Sequence, residues 1–281
     1  MRRKNLTGLA SLAVMFAGCT ELADGEAVRL TGSIVEYGRG PAGAPLRGMI
    51  YKPDAEGPFP VLLYAHGSAP GYWSNEAFEE IAREFTSRGW AVFAPYRRGQ
   101  GLSQAAGANI GDQIVAARRT AGPEFAQAEA ARLLATDHLA DQTKAFAWLL
   151  RQSFTDRSRI ATMGNSFGGI IALLSAEHLP VCAAIDAAGA ADSWEDAPAI
   201  RELMLEAAAK ARAPVLFLQA ENDSNVAPST VLHATMIKAG KVAELRVYPP
   251  FGTASEGHSF AYKGASIWGA DDHAFLNRAC P

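Results

Sequence analysis

Ser166 lies in a short glycine-rich stretch, MGNSFGG, whose pattern is typical of a nucleophilic serine. Residues 164–168 fit G-x-S-x-G, with the strand-like residues RIAT before them and the apolar run IIALLSAEHL after them. A sharp strand-to-helix turn exposes the serine oxygen, and its glycines let the helix press against the sheet. The pattern alone is weak, because any turn rich in glycine and serine can match it. Other residues must therefore supply the rest of the chemistry.

A serine hydroxyl needs a base that removes its proton, and a carboxylate that orients this base. Two acids, Glu221 and Asp223, follow directly after the apolar run PVLFLQA. Three histidines come later in the chain. His233 falls inside a predicted helix soon after the acids, and His273 lies in the last predicted helix, where we expect a solvated surface position. His258 lies in the turn GTASEGHSF after the strand-like AELRVYP, so its position favours it as the base.

The elements that must position these residues alternate between strands and helices. Continuous apolar runs that end in turns, such as FPVLLYAHG and WAVFAPY, predict strands buried on both faces. Between them, the sequence predicts helices at residues 74–89, 137–152, 197–211, 229–239 and 265–279. This alternation predicts a single α/β domain with a mostly parallel sheet and helices on both faces. Ligands of such folds bind at the carboxyl edge of the sheet, where the serine turn and the acids fall.

One segment interrupts this alternation. Residues 104–135 are long, polar and rich in alanine, and we expect them to form a lid or a wall of the substrate pocket. The predicted domain covers residues 45–281, and residues 19–44 form a linker and a first strand. No internal repeat is visible.

The start of the chain predicts an export signal. The basic residues RRK precede an apolar stretch that is shorter than the about 20 residues needed to span a bilayer. Its end, FAGC, resembles the lipobox of bacterial lipoproteins, in which the cysteine is lipidated. We expect removal of residues 1–18 and a lipid anchor on Cys19 in the bacterial cell envelope. Thr20 stands where an aspartate would favour the inner membrane, so the outer membrane or surface is preferred; an ordinary secretory signal is the alternative.

Charge and cysteine content narrow the range of functions. The chain has 26 basic and 29 acidic residues, and no basic run follows the signal, so nucleic-acid binding is not expected. Cys182 and Cys280 remain after cleavage, and an exported protein can pair them. Nothing in the sequence brings them within the about 5.5 Å between Cα atoms that a disulfide needs. Buried thiols are the simpler expectation, and the pairing stays open.

Together these motifs resemble the α/β-hydrolase superfamily, and within it the dienelactone-hydrolase-like serine hydrolases. The resemblance covers about residues 45–280 and rests on YAHGSAPG, APYRRGQGLS, GNSFGG, ENDSNVAP and EGHSF, in the family's order. It implies a triad of Ser166 as nucleophile, His258 as base and Asp223, in the family's D-x-x-V-x-P pattern, as acid. Dienelactone hydrolases proper use a cysteine nucleophile. Because serine stands here, a different substrate is expected.

An oxyanion hole must complete such a site. The turn chemistry assigns one backbone N–H to Phe167, directly after the nucleophile, and a second to Ser68 in the loop after LLYAHG. Tyr72 and Trp73 follow this loop, and either line the substrate pocket or pack at its rim.

Two further groups border the predicted site. Arg97 and Arg98 could hold an acidic group of the substrate, but the favoured interpretation is that they pin their own loop by pairing with nearby carboxylates. Beyond the strand that follows the serine helix, three residues are candidates for the border of the pocket: Asp192, Trp194 and Asp196.

The sequence therefore predicts a serine hydrolase that cleaves a small-molecule carboxylic ester through an acyl-enzyme. No metal or organic cofactor is implied, because the histidines lack a ligand spacing such as H-x-x-x-H. A peptidase or amidase with the same triad is the first alternative. A surface-anchored binding protein without catalysis is the second, and the presence of all three triad members in order argues against it.

Overall fold

The computed structural model describes residues 30–68, 76–253 and 256–281 of the chain. The predicted signal peptide, Cys19, Tyr72 and Trp73 lie outside the described residues. Within them, eight strands form one sheet in the order β1-β2-β4-β3-β5-β6-β7-β8. The strands are β1 (Gly32–Arg39), β2 (Pro45–Tyr51), β3 (Phe59–Ala65), β4 (Ala91–Pro95), β5 (Thr155–Asn165), β6 (Ala184–Ala187), β7 (Val215–Ala220) and β8 (Ala243–Tyr248).

The sheet is mostly parallel, as the sequence predicts. Only the pairs β1–β2 and β2–β4 are antiparallel, and every pair from β4 through β3 to β8 is parallel. The central register sets Ala65 of β3 opposite Gly164 of β5, and Asn165 of β5 opposite Ala187 of β6. The loops that follow these three strands therefore leave the sheet side by side at its carboxyl edge.

Helices cover both faces of the sheet. They are α1 (Glu76–Thr86), α2 (Ile110–Leu133), α3 (Leu139–Leu149), α4 (Phe167–His178), α5 (Pro198–Lys210), α6 (Ala227–Lys238), α7 (Phe260–Lys263) and α8 (Ala265–Ala279). In the part of the chain that the structure describes, no helix is long and apolar enough to cross a membrane.

The alternation of side chains along the central strands creates two cores. Leu63 of β3 belongs to the core that contains residues of α3 to α6, whereas its neighbour Leu62 belongs to the core that contains residues of α1 and α8. Both leucines are fully buried. The helix predicted at residues 74–89 corresponds to α1, and its Phe78 and Phe85 lie in the second core. Strands that are apolar on both faces are thus explained by one helical layer on each side.

Residues 104–135 are largely helical. After a short 3₁₀ turn (Gly101–Ala106), α2 runs into a π-helical turn (Leu134–His138) that leads to α3. The helix kinks at Gly122, whose φ is 87°, directly before Pro123. Ala126, Ala130 and Leu133 of its second half are buried. That half therefore packs into the helical layer. The sequence shows no apolar period here, and the high helix propensity of alanine explains why the segment is helical.

The two cysteines of the described chain form a disulfide. Cys182 precedes β6 and Cys280 follows α8, and their Cα atoms lie 5.2 Å apart. The expectation of two buried thiols is therefore wrong. The residues are 98 positions apart in sequence, and the fold brings the end of α8 to the residues before β6, in the core that also contains Ala183.

Candidate active site

Ser166 occupies the sharp turn that the sequence predicts. It lies between the end of β5 and the start of α4, with φ 55° and ψ −122°. Such a left-handed backbone is strained for a residue with a side chain. The turn is held by a hydrogen bond from Ser166 N to Ala187 O at 3.0 Å. A Cβ atom on Gly168 would overlap the carbonyl oxygen of Ala65, so the helix approaches the sheet as closely as glycine allows.

Asp223 and His258 are brought together at the same edge of the sheet. His258 Nδ1 donates to Asp223 Oδ1 at 2.9 Å. Gln219 Nε2 donates to Asp223 Oδ2 at 2.9 Å, and Ser224 N donates to Oδ1 at 2.7 Å. Glu221, the other candidate acid, is exposed. The histidine is therefore oriented by Asp223.

These contacts set the charges of the pair. Burial acts to raise the pKa of Asp223, but the hydrogen bonds from His258 and Gln219 outweigh it, and the pKa is lowered. Burial acts to lower the pKa of His258, but the hydrogen bond and charge of Asp223, with the charge of Asp192, raise it. An anionic Asp223 beside a basic imidazole is the arrangement that general-base catalysis requires.

The outer nitrogen of His258 faces a second carboxylate. His258 Nε2 lies 3.5 Å from Asp192 Oδ2, and Ser224 Oγ donates to Asp192 Oδ1 at 2.5 Å. Among the described residues, the Ser166 hydroxyl makes no hydrogen bond to His258. One side-chain atom from each of Asp192, Asp223 and His258 lies within 4.8 Å of the other two, so the three groups form one charged cluster. His258 Nδ1 is already bonded to Asp223, as in an acid–base pair.

The loop after β3 passes directly beside the nucleophile. A Cβ atom built on Gly67 would lie 3.4 Å from Ser166 Cβ. Ser68 follows in the same loop and is exposed. Phe167 is the first residue of α4, and N–H groups in the first turn of a helix have no acceptor within the helix. Both predicted oxyanion donors thus belong to backbone segments that adjoin Ser166, and their role stays a prediction.

The two arginines after β4 pin loops rather than face solvent. Arg97, 3 % exposed, donates to the carbonyl oxygens of His66 at 2.5 Å and Gly67 at 2.7 Å. Arg98 Nη2 and Nε donate to the two oxygens of Asp141 at 2.6 and 2.9 Å. The structural interpretation therefore holds for both arginines. The carboxylate partner that we predicted is correct for Arg98 and wrong for Arg97, whose partners are two backbone carbonyls together with Gln100 Oε1 and His66 Nδ1.

Other candidate residues have different surroundings. His273, expected at the surface, is buried, and its ring lies 4.8 Å from that of Phe85. That expectation is wrong because α8 packs this face of the helix against α1. His233 lies within α6, as expected. Of the proposed border residues, Asp192 contacts His258, Trp194 is buried and Asp196 is exposed.

Sequence reasoning missed two buried polar residues near the predicted site. Gln219 bonds Asp223 and accepts from Ser229 Oγ at 2.6 Å. It stands as a polar residue in the apolar run VLFLQA, which is the signal that could have identified it. Asp186 of β6 is buried: one oxygen accepts from Gly189 N at 2.9 Å, and the other has no hydrogen-bond partner among the residues that the structure describes. Burial raises its pKa to about 7.

A mostly parallel sheet that carries a strained serine turn after a central strand defines the α/β-hydrolase fold. The particular branch follows from sequence. Residues 46–278 match the dienelactone hydrolase family, and the chain belongs to this family. No curated protein gives a significant sequence match.

Solved structures share the fold at low sequence identity. An esterase from Pyrococcus furiosus is 14% identical with a TM-score of 0.63, covering 90% of this chain and 94% of its own. A proposed dienelactone hydrolase from Klebsiella pneumoniae is 18% identical with a TM-score of 0.58, covering 86% and 98%. The acylaminoacyl peptidase of Pyrococcus horikoshii is 17% identical with a TM-score of 0.62, covering 89% of this chain. This chain spans only 42% of the peptidase's length.

Proposed function

We propose that the protein is a serine hydrolase that cleaves carboxylic esters through an acyl-enzyme intermediate. The observation that carries this proposal is the His258–Asp223 hydrogen bond of 2.9 Å, at the sheet edge where Ser166 adopts its strained turn. Membership of the dienelactone hydrolase family supports a hydrolase.

The proposed reaction uses each of these groups once. Ser166 Oγ attacks the ester carbonyl carbon while His258 Nε2 takes its proton. The backbone N–H groups of Phe167 and Ser68 stabilise the oxyanion. The tetrahedral intermediate then collapses, His258 returns the proton to the leaving alcohol, and an acyl-Ser166 remains. Water, activated by the same histidine, releases the acid, and Asp223 stabilises the imidazolium in both halves.

An amide-cleaving reaction is the second candidate, because peptidases are among the structural neighbours. The same triad cleaves either bond, and the difference lies in how the leaving group is protonated and held. Matched p-nitrophenyl ester and p-nitroanilide substrates with one acyl group separate the two reactions. Rates on the anilide that approach those on the ester would favour the peptidase.

The test of the proposed function is hydrolysis of p-nitrophenyl acetate, butyrate and octanoate by the parent protein and by Ser166→Ala. We expect kcat/KM to fall by about 10⁴-fold or more in the variant. Ser68→Ala, which keeps the backbone N–H, serves as the matched serine control and should retain activity. Equal rates for the parent and Ser166→Ala would remove Ser166 as nucleophile and favour the binding-protein alternative.

We also propose that the chain is exported and anchored through a lipid on Cys19. The Cys182–Cys280 disulfide supports export, because such bonds persist in oxidising compartments. Labelling cells with a fatty-acid analogue, followed by fractionation, tests the anchor against a Cys19→Ser variant. Lipid incorporation that survives this substitution would contradict it.

The lid role of residues 104–135 stays a proposal about the exposed part of α2. Val115 and Phe125 are large apolar residues on that helix that face solvent. Replacing both with alanine should slow octanoate hydrolysis more than acetate hydrolysis. An unchanged ratio of the two rates would exclude a contact with the acyl chain.

A further inference from the structure

We propose that Asp192 is a positioning residue that holds His258 in a protonated, resting state, away from Ser166. This inference rests on the proposed function, in which His258 Nε2 must accept the serine proton. The geometry that supports it is a carboxylate close to each ring nitrogen of His258. Nδ1 lies 2.9 Å from Asp223 Oδ1, and Nε2 lies 3.5 Å from Asp192 Oδ2.

Only the imidazolium form of histidine satisfies both carboxylates. A neutral imidazole carries one N–H, which at His258 is committed to buried Asp223, and it has no net charge. A neutral ring therefore gains little from the Asp192 carboxylate, 3.5 Å from Nε2, whereas a protonated ring forms an ion pair with it. The observed placement of Asp192 therefore matches protonated His258.

Ser224 fixes Asp192 in this position. Its hydroxyl donates to Asp192 Oδ1 at 2.5 Å, and its backbone N–H donates to Asp223 Oδ1 at 2.7 Å. One residue thus ties the carboxylates that face the two nitrogens of His258. Apart from this bond and the ion pair with His258, Asp192 is exposed, with 63% of its side-chain surface accessible. Its carboxylate is positioned by polar contacts rather than by packing.

The consequence is a pH threshold for activity. An imidazolium bound to Asp192 cannot accept a proton from Ser166, so the base forms only when His258 loses its Nε2 proton. The charged groups that face His258 in the described structure are Asp223 after β7 and Asp192 after β6. Glu256, on the turn of His258 itself, is instead bonded to Thr253 N. Because Asp192 is anionic, it stabilises the protonated ring and moves the onset of activity to higher pH.

The first test is the pH profile of kcat/KM for Asp192→Asn, which keeps the shape and removes the charge. For a pair with one exposed partner, we expect the apparent pKa of the acidic limb to fall by about 0.2–0.7. Below that pKa, kcat/KM should rise by about 1.5- to 5-fold. Asp196→Asn is the matched control, since it removes the same charge from an exposed position on the same loop and should leave the profile unchanged.

The second test follows His258 directly and requires no turnover. NMR titration of the ring in a Ser166→Ala background should give a lower pKa when Asp192→Asn is added, and a smaller decrease for Ser224→Ala. A loss of kcat at every pH without a change in the His258 pKa would mean a merely structural role and would overturn the inference. So would a His258 pKa that does not move. If the parent hydrolyses no ester but the titration shift is present, the proposed function fails and the positioning role stands.

Discussion

Two buried aspartates on neighbouring parts of the sheet have opposite charge behaviour. Asp186 of β6 is 1% exposed and Asp223 after β7 is 9% exposed. Asp223 accepts hydrogen bonds from Gln219, Ser224 and His258, whereas Asp186 accepts one from Gly189.

The pKa of Asp223 is lowered, and that of Asp186 is raised by burial to about 7. Both carboxyl groups are largely buried, but Asp223 has more donors and the charge of His258 beside it, whereas burial dominates at Asp186. The protein thereby keeps an anion beside His258, and an acid that stays protonated below about pH 7 in the core beneath the helix that follows Ser166.

Asp186 and Asp223 also have different structural roles. A Cβ atom on Gly169 of α4 would contact Asp186 Oδ1, so this acid lies directly under the helix that begins after Ser166. Its bond to Gly189 N also holds a bend in which Ala188 and Ala190 have positive φ. The same bend leads to Asp192. Asp186 therefore supports the loop, and Asp223 acts on the histidine.

The largest expected effect comes from removing the charge of Asp223. In Asp223→Asn, the amide can donate to His258 and stabilise the wrong tautomer, so we expect kcat to fall by about 10⁴-fold. Steady-state hydrolysis of p-nitrophenyl acetate measures it. Glu221→Gln, on the same loop but exposed, is the control. A decrease below tenfold would mean that the two acids do not differ in role.

The corresponding substitution at Asp186 should change stability rather than activity, and we expect a gain where Asp223→Asn gives a loss. Because the folded pKa of Asp186 is raised from 3.8 to about 7, the folded state loses stability as pH rises between these values. Asp186→Asn cannot ionise, so it should be more stable than the parent at pH 8, by up to about 4 kcal/mol, and similar at pH 4. Urea unfolding at both values checks this. A variant that is less stable at pH 8 would contradict the neutral-acid role.

A smaller effect is expected when Asp223 loses one of its hydrogen-bond donors, which makes its surroundings more like those of Asp186. Gln219→Leu removes one donor, and hydrogen bonds to charged groups contribute about 1.5–3 kcal/mol. The pKa of Asp223 should rise, and kcat/KM should fall by roughly 10- to 100-fold. Ser229→Ala, which removes one of the two further bonds that hold Gln219 and leaves the one to Asn225 O, should cost less. If both variants keep full activity, the donors to Asp223 are not what maintains its charge.

The sequence predicted the parts of the site that depend on local patterns. The turn at Ser166 follows from glycine spacing between a strand and a helix, and His258 follows from its place after the eighth strand. The place after the seventh strand indicated both Glu221 and Asp223, and the resemblance to the family's D-x-x-V-x-P pattern singled out Asp223. The parallel sheet follows from apolar runs that alternate with helices. These features require only the chain near each residue and the general order of an α/β fold.

The remaining features depend on contacts between distant segments. Arg97 binds carbonyls of the loop after β3, and Asp192, after β6, contacts His258, after β8. No local sequence pattern indicates either contact. Cys182 and Cys280, 98 positions apart in sequence, meet only in the folded chain. The helix α2 escaped prediction because its alanines show no apolar period, although its helix propensity is high.

The central claim is that His258, oriented by Asp223, activates Ser166. The most direct measurement is the rate of covalent labelling by diisopropyl fluorophosphate, in which Ser166 Oγ would displace fluoride from phosphorus, followed by mass spectrometry of the intact and digested protein. We predict one adduct, located on Ser166, that is absent in Ser166→Ala and forms far more slowly in Asp223→Asn. An adduct on another residue, or equal labelling rates in the parent and Asp223→Asn, would contradict the claim.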